Sequence, residues 1–199
     1  MGRLSFRLRD IALALPALVF LSPVMAIIGL LLAFTQKKIL FLQQRPGLNE
    51  KPFTLIKFST LRDILPGEEE YGDIRHRLTP VGRYLRQLSL DELPQLINVL
   101  IGDMSLVGPR PLLMEYLKLY DQTEKLRHSV RPGITGWAQI NGRNRISFKE
   151  IFRLDVWYVH NQSHFLDLKI LWLTVLRIFS SKEIYRETSG GSSVFDGTN

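Results

Sequence analysis

The sequence predicts an α/β, mostly helical, membrane-associated domain, and three observations lead to that prediction. Residues 11–34 contain no charged side chain, residues 39–60 contain two short β-like segments, and helix-start signals recur down to residue 147. The chain has 199 residues and a net charge of +7. This length fits one compact domain, and the basic charge favours an anionic partner such as phosphate, anionic lipid or nucleic acid. Because cysteine is absent, disulfides, thiol nucleophiles and cysteine-ligated zinc are excluded.

The apolar run at 11–34 is a candidate membrane anchor. As a straight helix it would extend about 36 Å, which is enough to cross a bilayer. Three arginines precede the run and two lysines follow it, although basic residues prefer the cytoplasmic side of a membrane. Ser22-Pro23 stands near its middle, where proline bends a helix. We therefore expect two arms of about 18 Å that enter and leave by the same face; an ordinary kinked transmembrane helix is the alternative.

The remainder of the chain alternates turn signals with short helical and extended patterns. Residues 39–44 and 52–60 are predicted strands joined by a turn at Pro46-Gly47, and 62–77 are a predicted surface loop. Thr79 and Ser147 are predicted N-caps, the latter in a capping box with Glu150. Helices are expected from Pro80, at 94–101 before Gly102, at 112–120, at 148–160 and at 165–179. The last of these is expected to lie in the membrane interface or to cover the base of the hairpin. The Gly- and Ser-rich residues 186–199 are a predicted flexible tail.

The segment 88–111 holds the strongest candidate for a reactive site. Asp91 and Glu92 are adjacent, and Arg110 follows in a loop where a proline stands on each side of it. A carboxylate can attack phosphorus or bind a metal ion, and the planar guanidinium group matches phosphate oxygens. The two prolines restrict the backbone and favour rigid presentation of Arg110.

The local structure around the acid pair has two interpretations. Ser89-Leu90-Asp91-Glu92 fits a capping box that opens a helix, but Pro94 would then lie beyond the first turn of that helix. Alternatively, a helix begins nearer Leu93, and both acids lie on the turn that enters it. The sequence leaves both alternatives open.

Basic residues elsewhere are candidate phosphate ligands. Lys57 lies on the second predicted strand, where a solvated edge lysine is an equal alternative. Arg143 and Arg145 lie in a glycine-containing loop that could approach a diphosphate. Arg83 and Arg86 occur at i and i+3 on the helix that leads to the acid pair, where they could pair with the acids or contact lipid headgroups.

The block at 88–111, LSLDELPQLINVLIGDMSLVGPRP, resembles the core signature of the bacterial sugar transferases that prime glycan assembly, the monotopic phosphoglycosyl transferases. Three further blocks resemble the family in the same order: FLQQRPGLNEKPFTLIKFSTLRD at 41–63, KLRHSVRPGITGWAQINGRN at 125–144 and LDVWYVHNQSHFLDLKI at 154–170. The resemblance therefore covers nearly the whole chain.

This resemblance implies an enzyme that transfers a sugar-1-phosphate from a UDP-sugar to membrane polyprenyl phosphate, of the undecaprenyl type, and releases UMP. It implies Asp91 as the nucleophile of a covalent intermediate, Glu92 as a metal ligand or acid–base group, and a Mg²⁺ cofactor held at Asp91 and Glu92. The expected substrate ligands are Lys57, Arg110, Arg143 and Arg145.

The resulting domain prediction is a re-entrant anchor at 1–38 that bends at Ser22 and Pro23, a catalytic domain at 39–185 and the tail at 186–199. The expected location is the cytoplasmic face of the bacterial inner membrane, with UDP-sugar, polyprenyl phosphate and membrane lipid as partners and no nucleic acid. The alternative function is a non-catalytic basic membrane adaptor that binds anionic lipid or RNA.

Overall fold

The computed structural model describes residues 2–36, 38–64, 75–142, 146–180 and 195–197, and its described part is mostly helical, with two small sheets. This confirms the mostly helical α/β class. The helices and strands are α1 (Gly2–Thr35), β1 (Leu40–Pro46), β2 (Pro52–Phe58), α2 (Pro80–Gln87), α3 (Gln95–Ile101), β3 (Ser105–Val107), β4 (Gly133–Thr135), α4 (Trp137–Asn141), α5 (Phe148–Asn161) and α6 (His164–Ser180). Short 3₁₀ turns connect them at Leu48–Glu50, Arg75–Arg77, Leu90–Glu92, Met114–Lys118 and Glu124–Ser129.

Helix α1 is continuous through Ser22 and Pro23. Pro23 has no N–H to donate to the carbonyl of Val19, four residues earlier. The Ser22 hydroxyl donates to that same carbonyl at 2.8 Å, which explains how the helix continues through the proline. The structure therefore contains one helix where the sequence predicts two arms, and the re-entrant arrangement stays a prediction.

The first part of α1 packs into the main core. The Arg7 guanidinium donates to the carbonyls of Val99 and Leu100 at the end of α3. Asp10, only 2% exposed, accepts a hydrogen bond from Ser105 Oγ at 2.7 Å. The amino end of α1 is thus held by the same elements that form the rest of the domain.

The last part of α1 packs against a second cluster of the same domain. Ile28 and Leu32 are buried against Phe58 and Leu85, and Gln36 Nε2 donates to the Ser59 carbonyl at 2.7 Å. The outer face of α1 exposes many large apolar side chains. By length and composition this helix could cross a membrane, yet both of its ends contact one domain.

The sequence predicts the first pair of strands but not the second. β1 and β2 form the expected antiparallel hairpin, with Phe41 opposite Lys57. β3 and β4 pair in parallel, although 131–137 reads as a loop. The pairing needs glycine, because a Cβ on Gly133 would lie 2.1 Å from the Gly108 nitrogen.

The later helices follow their sequence signals with one exception. Ser147 Oγ accepts a hydrogen bond from the Glu150 N–H at 3.3 Å, so Ser147 is confirmed as the N-cap of α5. The Glu150 carboxylate accepts from Arg153, so the reciprocal half of the predicted capping box is not shown. The predicted helix at 112–120 is instead a 3₁₀ turn at Met114–Lys118. α6 confirms the helix at 165–179, while its interfacial position stays a prediction.

The C-terminal prediction differs at Phe195, which is 2% exposed rather than part of a flexible tail. The other residues of the predicted tail, apart from Asp196 and Gly197, lie outside the described residues, as do 65–74 of the predicted surface loop. Phe195 therefore needs a structural explanation of its own.

Candidate active site

The acid pair lies on the turn between α2 and α3. Ser89 adopts a left-handed conformation with φ 56°, and its side chain makes no capping hydrogen bond. A 3₁₀ turn at Leu90–Glu92 follows, and Pro94 directly precedes α3. The capping-box interpretation is therefore wrong, and the alternative is confirmed: the helix begins after Pro94 and both acids lie on its entry turn.

Asp91 is a buried carboxyl group surrounded by charge. It is 6% exposed. Burial raises the pKa of Asp91 above its usual value, and the negative charge of Glu92 raises it further. The positive charges of Lys57, Arg86 and Arg110 oppose both effects. The structure thus brings three basic side chains to two acidic ones, which is an arrangement suited to a phosphate ester.

Arg110 is held at both its backbone and its side chain. Its Nη2 donates to Glu92 Oε1 at 2.7 Å, while its carbonyl accepts from Arg127 Nη2 at 2.8 Å. The flanking residues Pro109 and Pro111 are buried. Because the Arg110 side chain is still 49% exposed, its other donors can reach a ligand.

Lys57 belongs to the same site and is only partly exposed. Burial lowers the pKa of Lys57 to about 8, and the positive charges of Arg86 and Arg110 contribute to the shift. Its Nζ lies 4.8 Å from the ring centroid of Phe41 on the neighbouring strand. Partial burial and the contact with Phe41 favour a lysine of the site over a solvated edge lysine, and its role as a phosphate ligand stays a prediction.

Asn98 connects the strand of Lys57 to the helix that follows the acid pair. It is fully buried in α3. Its Oδ1 accepts from the Ile56 N–H at 3.0 Å, and its Nδ2 donates to the Thr54 carbonyl at 2.8 Å. One side chain thus satisfies two backbone groups of β2 and fixes α3 against that strand.

Arg86 is a residue of the site that could not be distinguished from Arg83 by sequence. Thr79 Oγ1 accepts from the Gly82 N–H at 2.9 Å and opens α2, as predicted. Gly82 allows close packing, because a Cβ there would lie 2.1 Å from the Thr60 carbonyl oxygen. Arg86 Nε then donates to Thr60 Oγ1 at 2.8 Å, whereas Arg83 is exposed. The cap sets where α2 begins. The close packing of α2 on Thr60 then places Arg86 in the site and leaves Arg83 in solvent.

Two predicted ligands, Arg143 and Arg145, lie outside the described residues. Elsewhere in the chain, no cluster of three or more His, Cys, Asp or Glu residues could hold a metal among those that the structure describes. Asp91 and Glu92 are nevertheless compatible with the coordination preference of Mg²⁺, which commonly binds one or two carboxylates together with substrate phosphates.

The chain is similar to known proteins over most of its length. A family model described as bacterial sugar transferase matches residues 1–181. The uncharacterized sugar transferase EpsL of Bacillus subtilis (strain 168) is 56% identical over 160 residues, which cover 80% of this chain and 79% of EpsL. The exopolysaccharide production protein ExoY of Sinorhizobium fredii is 37% identical over 202 residues, covering 92% of this chain and 89% of ExoY.

A longer relative shows the same similarity. The UDP-glucose:undecaprenyl-phosphate glucose-1-phosphate transferase of Escherichia coli (strain K12) is 39% identical over 203 residues, covering 92% of this chain. The match covers 42% of that relative, so this chain spans less than half of its length.

Proposed function

This chain belongs to the bacterial sugar transferase family and is a transferase, and we propose from that premise that it transfers a sugar-1-phosphate from a UDP-sugar to polyprenyl phosphate, releasing UMP. The observation that supports the proposal most directly is the buried Asp91 among the charges of Glu92, Lys57, Arg86 and Arg110. The names of two relatives favour undecaprenyl phosphate as the acceptor and exopolysaccharide production as the setting.

The charge balance suits a diphosphate donor. Three basic groups face two acidic groups, so the site has a net positive charge that favours anionic phosphate. Arg110 pairs with Glu92 while its side chain stays 49% exposed, so its remaining N–H groups can donate hydrogen bonds to phosphate oxygens. Lys57, with its pKa of about 8, supplies a positive charge at neutral pH.

Asp91 is the better placed of the two acids for nucleophilic attack. Glu92 is already paired with Arg110 at 2.7 Å, whereas Asp91 makes no hydrogen bond or ion pair with the described part of the chain. An Asp91 oxygen attacks the β-phosphorus, the bond from that phosphorus to the bridging oxygen breaks, and UMP leaves with the electron pair. An oxygen of polyprenyl phosphate then attacks the same phosphorus and displaces the Asp91 carboxylate.

Asp91 and Glu92 would also hold Mg²⁺ together with the donor phosphates. When bound, the ion supplies positive charge that neutralises phosphate oxygens. Glu92 contributes independently of the ion, because its pairing orients Arg110 towards the acid pair.

The membrane placement is part of the proposal. α1 and the relatives' roles in polysaccharide synthesis favour association with a membrane. We place the domain on the cytoplasmic face of the inner membrane, with α1 entering the bilayer without crossing it. The support is that Arg7 near one end of α1 and Gln36 after its other end contact the same domain.

The test is release of UMP by the full chain in lipid nanodiscs, with a panel of UDP-sugars, polyprenyl phosphate and Mg²⁺. Wild-type protein should release UMP with at least one donor, and Asp91→Asn should lose at least about 1000-fold in rate, as expected for a nucleophile. Asp103→Asn is the matched control, because Asp103 lies in the same segment but outside the charge cluster. Incubation with donor alone should add the mass of one phosphosugar to the peptide that contains Asp91.

Three outcomes would contradict the proposal: no UMP from any donor, near-normal transfer by Asp91→Asn, or phosphosugar on a different residue. The adaptor alternative predicts the first outcome together with salt-sensitive lipid binding. It gives no reason for a carboxyl group buried among three cations.

A further inference from the structure

Phe195, near the C-terminus, packs into an aromatic seat that consists of Tyr116, Tyr120, Phe148 and Phe152. Its ring centroid lies 5.4, 5.9, 5.3 and 5.1 Å from theirs, respectively. Its backbone N–H donates to Tyr116 Oη at 3.2 Å. At 2% exposure, Phe195 completes a closed cluster in which four of its contacts are aromatic.

The aromatic seat borders a buried arginine. Arg127 is 1% exposed, and its Cζ lies 5.7 Å from the Tyr120 ring and 5.2 Å from the Phe152 ring. Its Nη1 donates to Tyr120 Oη at 3.1 Å. Asp155 accepts from Nη2 and Nε at 2.7 and 3.1 Å. Two of the four rings that contact Phe195, those of Tyr120 and Phe152, therefore also pack against Arg127.

Arg127 connects this wall to the active site. Its Nη2 donates to the Arg110 carbonyl at 2.8 Å, and the Arg110 guanidinium donates to Glu92 at 2.7 Å. A buried guanidinium keeps such a geometry only while water is excluded and its surroundings are packed. Loss of the Phe195 ring would open a cavity beside Tyr120 and Phe152 and loosen that packing.

We propose that Phe195 is a positioning residue for transfer: from the aromatic seat it holds Arg127 against the Arg110 main chain and so fixes the Arg110 guanidinium at the acid pair. The inference rests on the proposed function for its kinetic part only. It assigns a role in catalysis to a residue that stands fifteen positions beyond the end of α6 at Ser180, in a segment whose composition suggests a dispensable tail.

The kinetic test uses full-length Phe195→Ala and Phe195→Tyr in nanodiscs, with rates divided by the folded fraction. Phe195→Ala should lower kcat roughly 10-fold or more, because small misplacement of a clamp is costly, whereas Phe195→Tyr should retain most activity. A matched pair of truncations separates the ring from the tail. A chain that ends at Gly197 should behave as wild type, and one that ends at Val194 should behave as Phe195→Ala.

A double-mutant cycle identifies the route of the effect. In an Arg110→Ala background, Phe195→Ala should cost less than about 2-fold, because the group that Phe195 positions is already gone. Full additivity, or a normal kcat per folded Phe195→Ala molecule, would overturn the inference and leave the proposed function intact.

Amide hydrogen exchange gives a readout that does not depend on activity. Phe195→Ala should increase exchange in the peptide covering 108–113, while the 164–177 part of α6, which does not pack on the aromatic seat, serves as an internal reference. If wild-type protein released no UMP, the proposed function would fail, but this measurement would still decide whether Phe195 orders the Arg110 loop. Unchanged exchange at 108–113 would overturn the inference.

Discussion

The charge of Lys57 should set the alkaline limit of transfer. Burial and two neighbouring arginines lower its pKa from 10.5 to about 8. If Lys57 binds donor phosphate, the free enzyme must carry it protonated, and kcat/KM for the donor must fall as Lys57 loses its proton. Arginine keeps its charge at every accessible pH, so Lys57→Arg should remove this limit.

The expected decrease in kcat/KM follows from the titration of Lys57. With a pKa of about 8, about half of the lysines are charged at pH 8 and about a tenth at pH 9. The kcat/KM should therefore decrease nearly 10-fold per pH unit above about pH 8.5. The donor phosphates are fully ionised in this range and contribute no slope of their own.

Stability should change in the opposite direction over the same range. Between pH 8 and 10.5 the unfolded chain binds more protons at Lys57 than the folded chain, so the free energy of unfolding increases with pH. The full shift corresponds to at most about 3 kcal/mol. Lost activity at pH 9 could then not be attributed to unfolding.

The assay is UMP release at subsaturating donor from pH 6.5 to 10, with thermal unfolding measured in each buffer. Lys51→Arg is the matched control, because Lys51 is exposed in the turn that joins β1 to β2, and it should keep the wild-type profile. The reasoning would be refuted by a flat wild-type profile up to pH 9.5, or by an unchanged alkaline limb in Lys57→Arg.

Three further substitutions test the framework of the site. Asn98→Ala leaves two β2 backbone groups unpaired and should lower the free energy of unfolding by about 2–4 kcal/mol, measured by chemical denaturation. A decrease of no more than half that amount would contradict this role. Thr79→Ala removes the α2 cap and should cost about 1 kcal/mol and reduce UMP release by displacing Arg86; normal release would mean that α2 does not depend on its cap. Glu50 adopts the left-handed conformation with φ 62°, which glycine adopts without strain. Glu50→Gly should therefore raise the free energy of unfolding by up to about 1 kcal/mol and leave UMP release normal. A lower stability would show that the Glu50 side chain is needed.

Local signals predicted the parts of the fold that local chemistry determines. Thr79-Pro80 and Ser147 begin helices as expected, because their hydroxyl oxygens accept hydrogen bonds from the unpaired N–H groups of the first helical turn. The acid pair and Arg110 were also found by sequence, since a carboxylate doublet and an arginine between prolines are both unusual. Their convergence through a 2.7 Å contact follows from the short connection between them.

Local sequence signals did not predict the structure where contacts between distant segments determine it. Ser89 fits a capping box, but the chain must turn sharply between α2 and α3, and the residue adopts φ 56° instead. The parallel pairing of β3 and β4 depends on the approach of Gly108 and Gly133, which no local pattern encodes. Phe195 stands in a polar, glycine-rich segment, and only the aromatic seat explains its burial.

The anchor and the catalytic residues form one mechanical unit. Arg7 binds the carbonyl end of α3, the helix that begins directly after the acid pair. Gln36 binds the carbonyl of Ser59, which directly follows β2, the strand that carries Lys57. The two ends of α1 therefore hold the two elements that meet at Asp91. If α1 enters the membrane as proposed, its displacement would be transmitted to both sides of the site. The proposed transfer from a water-soluble donor to a lipid acceptor would need this coupling, because the proposed nucleophile must stay at a constant depth relative to the lipid phosphate.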